Sequence, residues 1–212
     1  MSAEPAIVRP AAGGPEEFGR DGYTVVPQLI VTPLADFLWS YVFTKFASLL
    51  LSSGDPLVPD SLSSYADPAF EGLLEFLRPQ IEACTGLPLY PTYSHFRIYK
   101  RGNQLRRHRD RAACEFSVSL NIGQLPAEPW PIFVEGHCGI RRVLLMPGDA
   151  LLYRGIDLFH WREPYAGQQL VQAFLHYVDR NGPHADQRFD RRKTLMRPRR
   201  SNTIETDDAP AR

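Results

Sequence analysis

The sequence predicts a mostly β fold with flanking helices, of the sandwich or jelly-roll kind. The first observation is a change of pattern after Pro91, where residues on the two sides of an extended chain alternate with period two. The second is a series of short strand-like runs separated by Gly and Pro turns. The third is composition, because 19 Pro against 15 Gly and 11% aromatic residues favour turn-rich β structure over a helix bundle.

The helical segments are expected before the strands. Residues 1–20 are rich in Ala, Pro, Gly and Glu and predict a flexible leader. Thr32 is a suitable N-cap and Pro33 a suitable first residue for an amphipathic helix. The following segment, residues 52–68, is rich in turn-forming residues and predicts a loop.

A second helix is predicted over residues 69–85, with Gly86 as its C-terminal stop. Pro79 lies inside it and predicts a kink or a split into two short helices. The strand-like runs are residues 23–27, 93–100, 115–122, 131–135, 142–145, 150–153 and 169–178.

These elements predict a single domain over residues 21–183, with a barrel at about 91–180. Residues 184–212 are polar and partly basic and are expected to form a tail. One domain is the default for a chain of 212 residues.

Charge and composition exclude several classes of protein. The 24 Lys and Arg balance the 24 Asp and Glu, so nucleic-acid binding by a generally basic surface is not expected. The three cysteines have no C-x-x-C spacing, which argues against a disulfide framework. The N-terminus lacks an apolar signal region, and the most apolar stretch, residues 34–51, is interrupted by polar residues. A soluble, cytoplasmic protein with no membrane contact is expected.

One group of residues in the sequence has the composition of a metal site. His108 and Asp110 are two residues apart, which in an extended segment places imidazole and carboxylate on the same side. His160 follows after a turn and a strand, and a jelly roll can bring such a late segment against an early one. Two histidines and one carboxylate form the facial triad of non-haem Fe(II) sites. The alternative is a surface salt-bridge cluster, since H-x-D alone is a weak motif.

The context strengthens this motif. The run YKRGNQLRR precedes it, a polar-apolar strand follows, and MPGDALLY stands before the second histidine. The arrangement resembles the Fe(II)/2-oxoglutarate-dependent dioxygenase superfamily, in its prolyl-hydroxylase-like layout, over roughly residues 93–178. The resemblance implies a double-stranded β-helix (jelly roll) and Fe(II) ligation by His108, Asp110 and His160.

The same resemblance implies a function. We expect a hydroxylase that uses Fe(II), 2-oxoglutarate and O2 on a small-molecule or peptide substrate. Related halogenases have a small residue in place of the carboxylate ligand, so Asp110 favours hydroxylation over halogenation.

The sequence departs from the family pattern at one point. The family usually has Arg or Lys nine or ten residues after the second histidine, where it binds the distal carboxylate of 2-oxoglutarate; here Gln169 and Leu170 stand in that region. An amide brings no charge, and a charge-assisted hydrogen bond is roughly twice as strong as a neutral one. Arg97 is the preferred replacement, because it shares a strand face with Tyr99, which stands where the family commonly has a cosubstrate-contacting Tyr. Arg162 is the competing replacement.

Further cosubstrate contacts are weaker hypotheses. Ser119 shares a strand face with Ser117 and Asn121, which is either a polar barrel interior or a solvent face. Tyr153 and Gln172 are candidates of the same grade.

Two rival functions stay open. An iron oxygenase that does not use 2-oxoglutarate is favoured by the missing basic residue, and a non-catalytic jelly-roll binding protein is the other. His95 and His176 lie on strands and are expected to be packed or surface residues rather than ligands.

Overall fold

The fold is described by a computed structural model over residues 6–8, 14–54, 56–126, 128–137 and 139–195. Its helices are α1 (Pro15–Asp21), α2 (Thr32–Ala47) and α3 (Pro68–Thr85), with 3₁₀ segments at Ala112–Cys114 and Ala185–Arg191. Its strands are β1 (Ala6–Val8), β2 (Tyr23–Val26), β3 (Ser52–Ser53), β4 (Leu62–Tyr65), β5 (Leu89–Lys100), β6 (Leu105–His108), β7 (Phe116–Leu125), β8 (Ile132–Gly136), β9 (Gly139–Val143), β10 (Ala150–Arg154), β11 (Phe159–Arg162) and β12 (Gln169–Asp179).

The strands form two facing sheets. The larger sheet has the order β2-β10-β7-β12-β5-β4-β3, and the smaller has the order β1-β9-β8-β11-β6. All pairs are antiparallel except β1 with β9. The prediction of a mostly β jelly roll with flanking helices is confirmed. None of the helices in the described part of the chain is long and apolar enough to span a membrane.

Alternate residues of β12 point to two different packed regions, one under the helices and one between the sheets. Val171, Ala173 and Leu175 lie on the face that packs with α2 and α3 in the largest apolar cluster. Gln172 and His176 lie on the other face, which looks towards the small sheet. Between the sheets, apolar residues form two separate clusters, one around Val134 and Leu151 and the other around Tyr99 and Trp130. Polar side chains occupy the space between those clusters, and the candidate site lies there.

Helix α3 shows how local sequence sets an element. The Asp67 side chain accepts a hydrogen bond from the Ala69 backbone N–H at 2.9 Å and caps the helix, and Gly86 ends it at φ +71°. The expected split at Pro79 does not occur, since one helix runs from residue 68 to 85. Pro79 and Glu75 are both exposed, so water can hydrogen-bond the Glu75 carbonyl that Pro79 leaves without a donor.

The N-terminal leader is more ordered than the sequence predicts. Residues 6–8 form β1 beside β9, and residues 15–21 form α1, whose Phe18 is 1% exposed. The sequence does not reveal these elements, because a single buried aromatic among Pro, Gly and Glu gives no periodic pattern. The rest of the predicted leader, residues 1–5 and 9–13, lies outside the described residues.

The segment after the last strand is also not a simple polar tail. Residues 185–191 fold back onto the barrel, and Asp190 is 3% exposed there. Arg111 donates to both carboxylate oxygens of Asp190 at 2.6 and 3.0 Å, and the Tyr65 hydroxyl donates at 2.5 Å. These partners explain the docking, since they belong to distant parts of the chain and no local pattern reveals them. Residues 196–212, the rest of the predicted tail, lie outside the described residues.

A buried ion pair also holds the C-terminal segment on the barrel. Arg192 donates to Glu71 on α3 at 3.0 Å, and the two side chains are 4% and 0% exposed. Glu71 also accepts the backbone N–H of Ser94 at 2.9 Å. The pair therefore ties the C-terminal segment, α3 and β5 together.

Replacing Glu71 by Ala is expected to lower the free energy of unfolding by about 3–5 kcal/mol, because it leaves a buried guanidinium without its carboxylate. Glu75→Ala is the matched control on the same helix, since the Glu75 side chain is 48% exposed and pairs with Arg78 on the surface. That control should change stability by about 0–1 kcal/mol. Urea unfolding followed by circular dichroism measures both, and equal effects would contradict the role of the buried pair.

Candidate metal centre

Three side chains converge between the sheets. His108 ends β6, His160 lies on β11, and the antiparallel pairing of these strands sets the two residues opposite each other. Their ring centroids are 4.2 Å apart. Asp110 follows β6, where its backbone N–H donates to the Gly155 carbonyl at 2.9 Å. Its Oδ1 lies 3.5 Å from His108 Nε2 and 3.6 Å from His160 Nε2, so the three groups face a common point.

Backbone carbonyls decide which imidazole nitrogens face that point. His108 Nδ1 lies 2.8 Å from the Arg106 carbonyl, and His160 Nδ1 lies 3.1 Å from the Leu158 carbonyl. A carbonyl only accepts, so each Nδ1 carries the hydrogen and each Nε2 has a lone pair when the ring is neutral. Metal-ligating histidines are oriented in this way by their second nitrogen. Two imidazole nitrogens and one carboxylate oxygen fit Fe(II) and similar divalent ions.

The electrostatics of Asp110 favour its charged form. Burial raises the pKa of this carboxyl, but the hydrogen bond with His108, the proximity of His160 and His176 and the Ser117 hydroxyl together hold it below its usual range. A carboxylate that is ionised near neutral pH is ready to bind a cation.

The two histidines differ in their protonation. Burial lowers the pKa of His108, yet its hydrogen bonds with Asp110 and the Arg106 carbonyl outweigh burial and leave the pKa raised. For His160, burial dominates over the attraction of Asp110 and the pKa is lowered. The pKa of His108 therefore lies above that of His160, so His108 is the first of the two rings to take up a proton as the pH falls.

The three converging side chains open onto a cavity of about 110 Å³. Its lining combines the three converging residues with aromatic, cationic and apolar side chains from β5, β6, β10, β12 and the loop before β4: Leu57, Tyr93, His95, Arg97, Leu105, Tyr153, Phe174 and His176.

Comparison with known proteins identifies this architecture. No family model and no curated protein matches the chain. Among solved structures, a Pseudomonas putida prolyl-4-hydroxylase is 17% identical, covers 78% of this chain and 97% of its own, and has a TM-score of 0.64. HygX from Streptomyces hygroscopicus, with nickel and 2-oxoglutarate bound, is 13% identical over 77% of this chain and 85% of its own, with a TM-score of 0.61. A prolyl hydroxylase from Trichoplax adhaerens, in complex with a hypoxia-inducible-factor peptide, is 12% identical over 82% and 88%, with a TM-score of 0.65.

The chain has the double-stranded β-helix fold of these oxygenases. At such identities the likeness establishes the fold, and the chemistry of the site is argued from the residues of this chain.

Within this double-stranded β-helix, Arg97 and Tyr99 point to the interior as the sequence predicts. Arg97 is 3% exposed, lines the cavity and donates from Nη1 to the Tyr99 hydroxyl at 3.2 Å. Its guanidinium also lies over the rings of Tyr99 and Phe174, at 5.5 and 5.8 Å from their centroids. Tyr99 is wholly buried and packs edge-on against Trp130, at 5.0 Å between centroids.

Arg162, the competing replacement, is buried inside the barrel. It lies two residues after His160 on β11, is 2% exposed, and covers the Trp130 ring at 4.7 Å. It donates to the Trp130 carbonyl and, at 3.1 Å, to Gln172 Oε1. Burial lowers its pKa to about 10, and the neighbouring ionisable groups are tyrosines. Within the described ranges no carboxylate pairs with this guanidinium.

The remaining predicted contacts divide between the two sheet faces. Ser119 is wholly buried and accepts a hydrogen bond from Gln172 Nε2 at 3.0 Å, in the interior. Gln169 shares a face with Val171 and Ala173, which pack under the helices, so its side chain points away from the cavity. Gln169 is therefore removed from the proposed cosubstrate contacts, because period two puts it on the wrong side of β12.

Sequence reasoning missed His176. It was expected to be a packed or surface residue, and it is packed at 5% exposure, but the sequence did not show that it lines the cavity with its Nδ1 2.9 Å from the Ser117 hydroxyl. His176 and Gln172 are four residues apart and therefore share one face of β12. That spacing identifies His176 as an interior residue only once this face is known to point into the barrel.

Metal affinity is expected to fall below neutral pH. His160 and Asp110 have lowered pKa values and His108 a raised one, so His108 must release a proton before an ion binds. Above the pKa of His108 the affinity for Ni(II) should be constant, and well below it should drop about tenfold per pH unit. Calorimetric titration of the full chain with Ni(II) between pH 6 and 8 measures this, and a constant affinity over that range would contradict it.

Gly155 is expected to be essential for the position of the Asp110 carboxylate. A Cβ there would collide with the Asp110 carboxylate and the Cys114 carbonyl, and would lie 2.8 Å from Ser117 Oγ. Gly155→Ala should therefore displace Asp110 and weaken Ni(II) binding by about 10- to 100-fold, the usual effect of disturbing a ligand's support. Gly19→Ala is the control, since a Cβ at Gly19 meets no heavy atom within 4 Å. Equal Ni(II) affinity in the two variants would show that the loop tolerates the displacement.

Proposed function

We propose that the protein is an Fe(II)- and 2-oxoglutarate-dependent oxygenase that hydroxylates a small-molecule or peptide substrate. One observation carries the proposal. Two histidines and one carboxylate face a cavity, and Arg162, a buried cation two residues beyond one of these histidines, has only neutral hydrogen-bond acceptors among the described residues.

The ion would be held by His108, Asp110 and His160 through two Nε2 atoms and Oδ1. Bound there, Fe(II) with 2-oxoglutarate would supply the activation of O2 and the oxidation of a substrate C–H bond. The protein's own contribution is orientation, because the Arg106 and Leu158 carbonyls hold both rings with Nε2 towards the ion position.

Arg162 is the proposed partner of the distal carboxylate of 2-oxoglutarate. An isolated buried charge costs several kcal/mol, and a carboxylate would offset that cost through charge-assisted hydrogen bonds. Gln172 is held by Ser119 with its carbonyl towards Arg162, which fixes the guanidinium in the interior. The departure from the family's usual position then has a physical explanation, since the cation comes from β11 instead of β12.

Tyr99 would complete this subsite. Its hydroxyl accepts a hydrogen bond from Arg97, which leaves its own hydrogen to donate to an anion. Tyr99 and Arg162 both contact Trp130, so the two donors lie near each other. The apolar residues Leu105, Tyr165 and Leu170 pack around this end of the barrel and exclude water from it.

Substrate would enter from the opposite side of the cavity. Leu57, from the loop before β4, lines the cavity and also borders a second, polar cavity of about 220 Å³. The position of this loop makes it the proposed determinant of substrate choice.

Arg162→Met is expected to raise the dissociation constant of 2-oxoglutarate between about 30-fold and several thousand-fold, since removing one partner of a buried charge pair costs about 2–5 kcal/mol. Methionine keeps much of the side-chain stem that packs on Trp130, so Fe(II) binding should persist. The charge-transfer absorption of the anaerobic Fe(II) protein, titrated with 2-oxoglutarate, measures the affinity. Succinate release in air measures turnover.

Arg97→Met is the matched variant. A large loss of 2-oxoglutarate affinity in Arg97→Met with no loss in Arg162→Met would overturn the assignment of Arg162. Absence of charge-transfer absorption and of succinate in the wild-type protein would favour an iron oxygenase with another cosubstrate. Absence of stoichiometric iron binding would favour a binding barrel without catalysis.

A further inference from the structure

The second oxygen of Asp110 has its own chain of hydrogen bonds. Oδ1 faces the two histidine Nε2 atoms, whereas Oδ2 lies 2.8 Å from the Ser117 hydroxyl oxygen. The same hydroxyl oxygen lies 2.9 Å from Nδ1 of His176. Ser117 is wholly buried and His176 is 5% exposed, so this chain is shielded from bulk water.

The direction of each hydrogen bond follows from counting hydrogens. An ionised carboxylate only accepts, and Asp110 Oδ2 at 2.8 Å is a nearer and charged acceptor than the Cys114 carbonyl at 3.2 Å, so Ser117 gives its single hydrogen to Asp110. The Ser117 oxygen then accepts from His176, whose Nδ1 must carry the hydrogen. This assignment of the imidazole tautomer rests on the network, and it makes the order of donation His176 to Ser117 to Asp110.

The sheet register builds this chain. Ser117 on β7 is paired with His176 on β12, and also with Tyr153 on β10. The His176 ring packs against Tyr93 of β5, with centroids 4.5 Å apart. Three strands of the large sheet thus hold the imidazole in one orientation, with Nδ1 towards Ser117.

We propose that Ser117 and His176 are positioning residues that engage Oδ2 of Asp110 and leave Oδ1 as its single ligand atom. The inference rests on the proposed role of His108, Asp110 and His160 as metal ligands and is independent of the cosubstrate. A carboxylate whose second oxygen is hydrogen-bonded cannot swing to bind the ion through both oxygens, so the remaining coordination positions stay open.

Partners of this kind typically contribute 10- to 100-fold to metal affinity. Ser117→Ala should therefore weaken Co(II) binding to the full chain by about 10-fold or more. It should also change the visible Co(II) spectrum, because the released Oδ2 alters the number of ligand atoms. Ser94→Ala is the matched control, since Ser94 is equally buried but lies near Glu71 on the other face of the sheet. The control should leave affinity and spectrum unchanged.

Substitutions of His176 separate this role from simple packing. The side-chain nitrogen of Asn lies near the place of Nδ1, whereas that of Gln lies near the place of Nε2. His176→Asn should keep Co(II) affinity within about 3-fold of wild type, whereas His176→Gln and His176→Phe should weaken it as Ser117→Ala does. Far-ultraviolet circular dichroism establishes that each variant is folded, and the Asn and Gln pair can be compared even if the Phe variant does not fold.

The failures are distinguishable. Wild-type protein that binds no stoichiometric Co(II) would overturn the metal site together with this inference. Normal binding by wild type, combined with unchanged affinity and spectrum in Ser117→Ala, would overturn the inference alone. Rescue by Gln rather than Asn would also overturn it, because the required contact would then be at Nε2.

Discussion

The antiparallel pairing of β6 with β11 is the contact on which the site depends. Each of these strands has only four residues, and each carries one of the two converging histidines. Their register places His108 directly opposite His160, and the turn after β6 brings Asp110 to the same point. A shift by one residue would turn one imidazole to the other face of the sheet and dismantle the cluster.

The interior between the sheets holds charge of both signs. The carboxylate of Asp110 lies beside His108 and His160, and the guanidinium of Arg162 is buried elsewhere in the barrel, against Trp130. Buried charges are stable when they have partners, and an anion and a cation inside one barrel can each bind a partner of opposite charge. A divalent ion beside Asp110 and a dicarboxylate that reaches Arg162 would satisfy both. The neutral total charge of the chain therefore conceals a strongly polar interior.

Contacts with the C-terminal segment, outside the barrel, stabilise the structure around this interior. Arg111, the residue after Asp110, is held by Asp190 of the C-terminal segment, and its guanidinium covers the Tyr93 ring at 4.6 Å. Phe189, Asp190 and Arg191 all adopt positive φ values, between 53° and 59°, which is unfavourable for side chains of this kind. The ion pairs of Asp190 with Arg111 and of Arg192 with Glu71 offset this strain. The segment that was expected to be a tail thus supports the turn that carries Asp110 and Arg111.

The sequence by itself determined the fold class and the second helix over about residues 69–85 with its stop at Gly86, and it singled out His108, Asp110 and His160, which the fold brings together. Alternation, caps and turn residues are local properties, and they can be read without a structure. Strands β6 and β11 escaped detection because their four residues are mixed in polarity and become strands only through pairing with each other. The burial of Arg97 and Arg162, the outward direction of Gln169 and the place of His176 beside the cavity are visible only in the tertiary structure. Each depends on which face of β5, β11 or β12 looks inward, and that is set by the packing of helices on one side of the sheet.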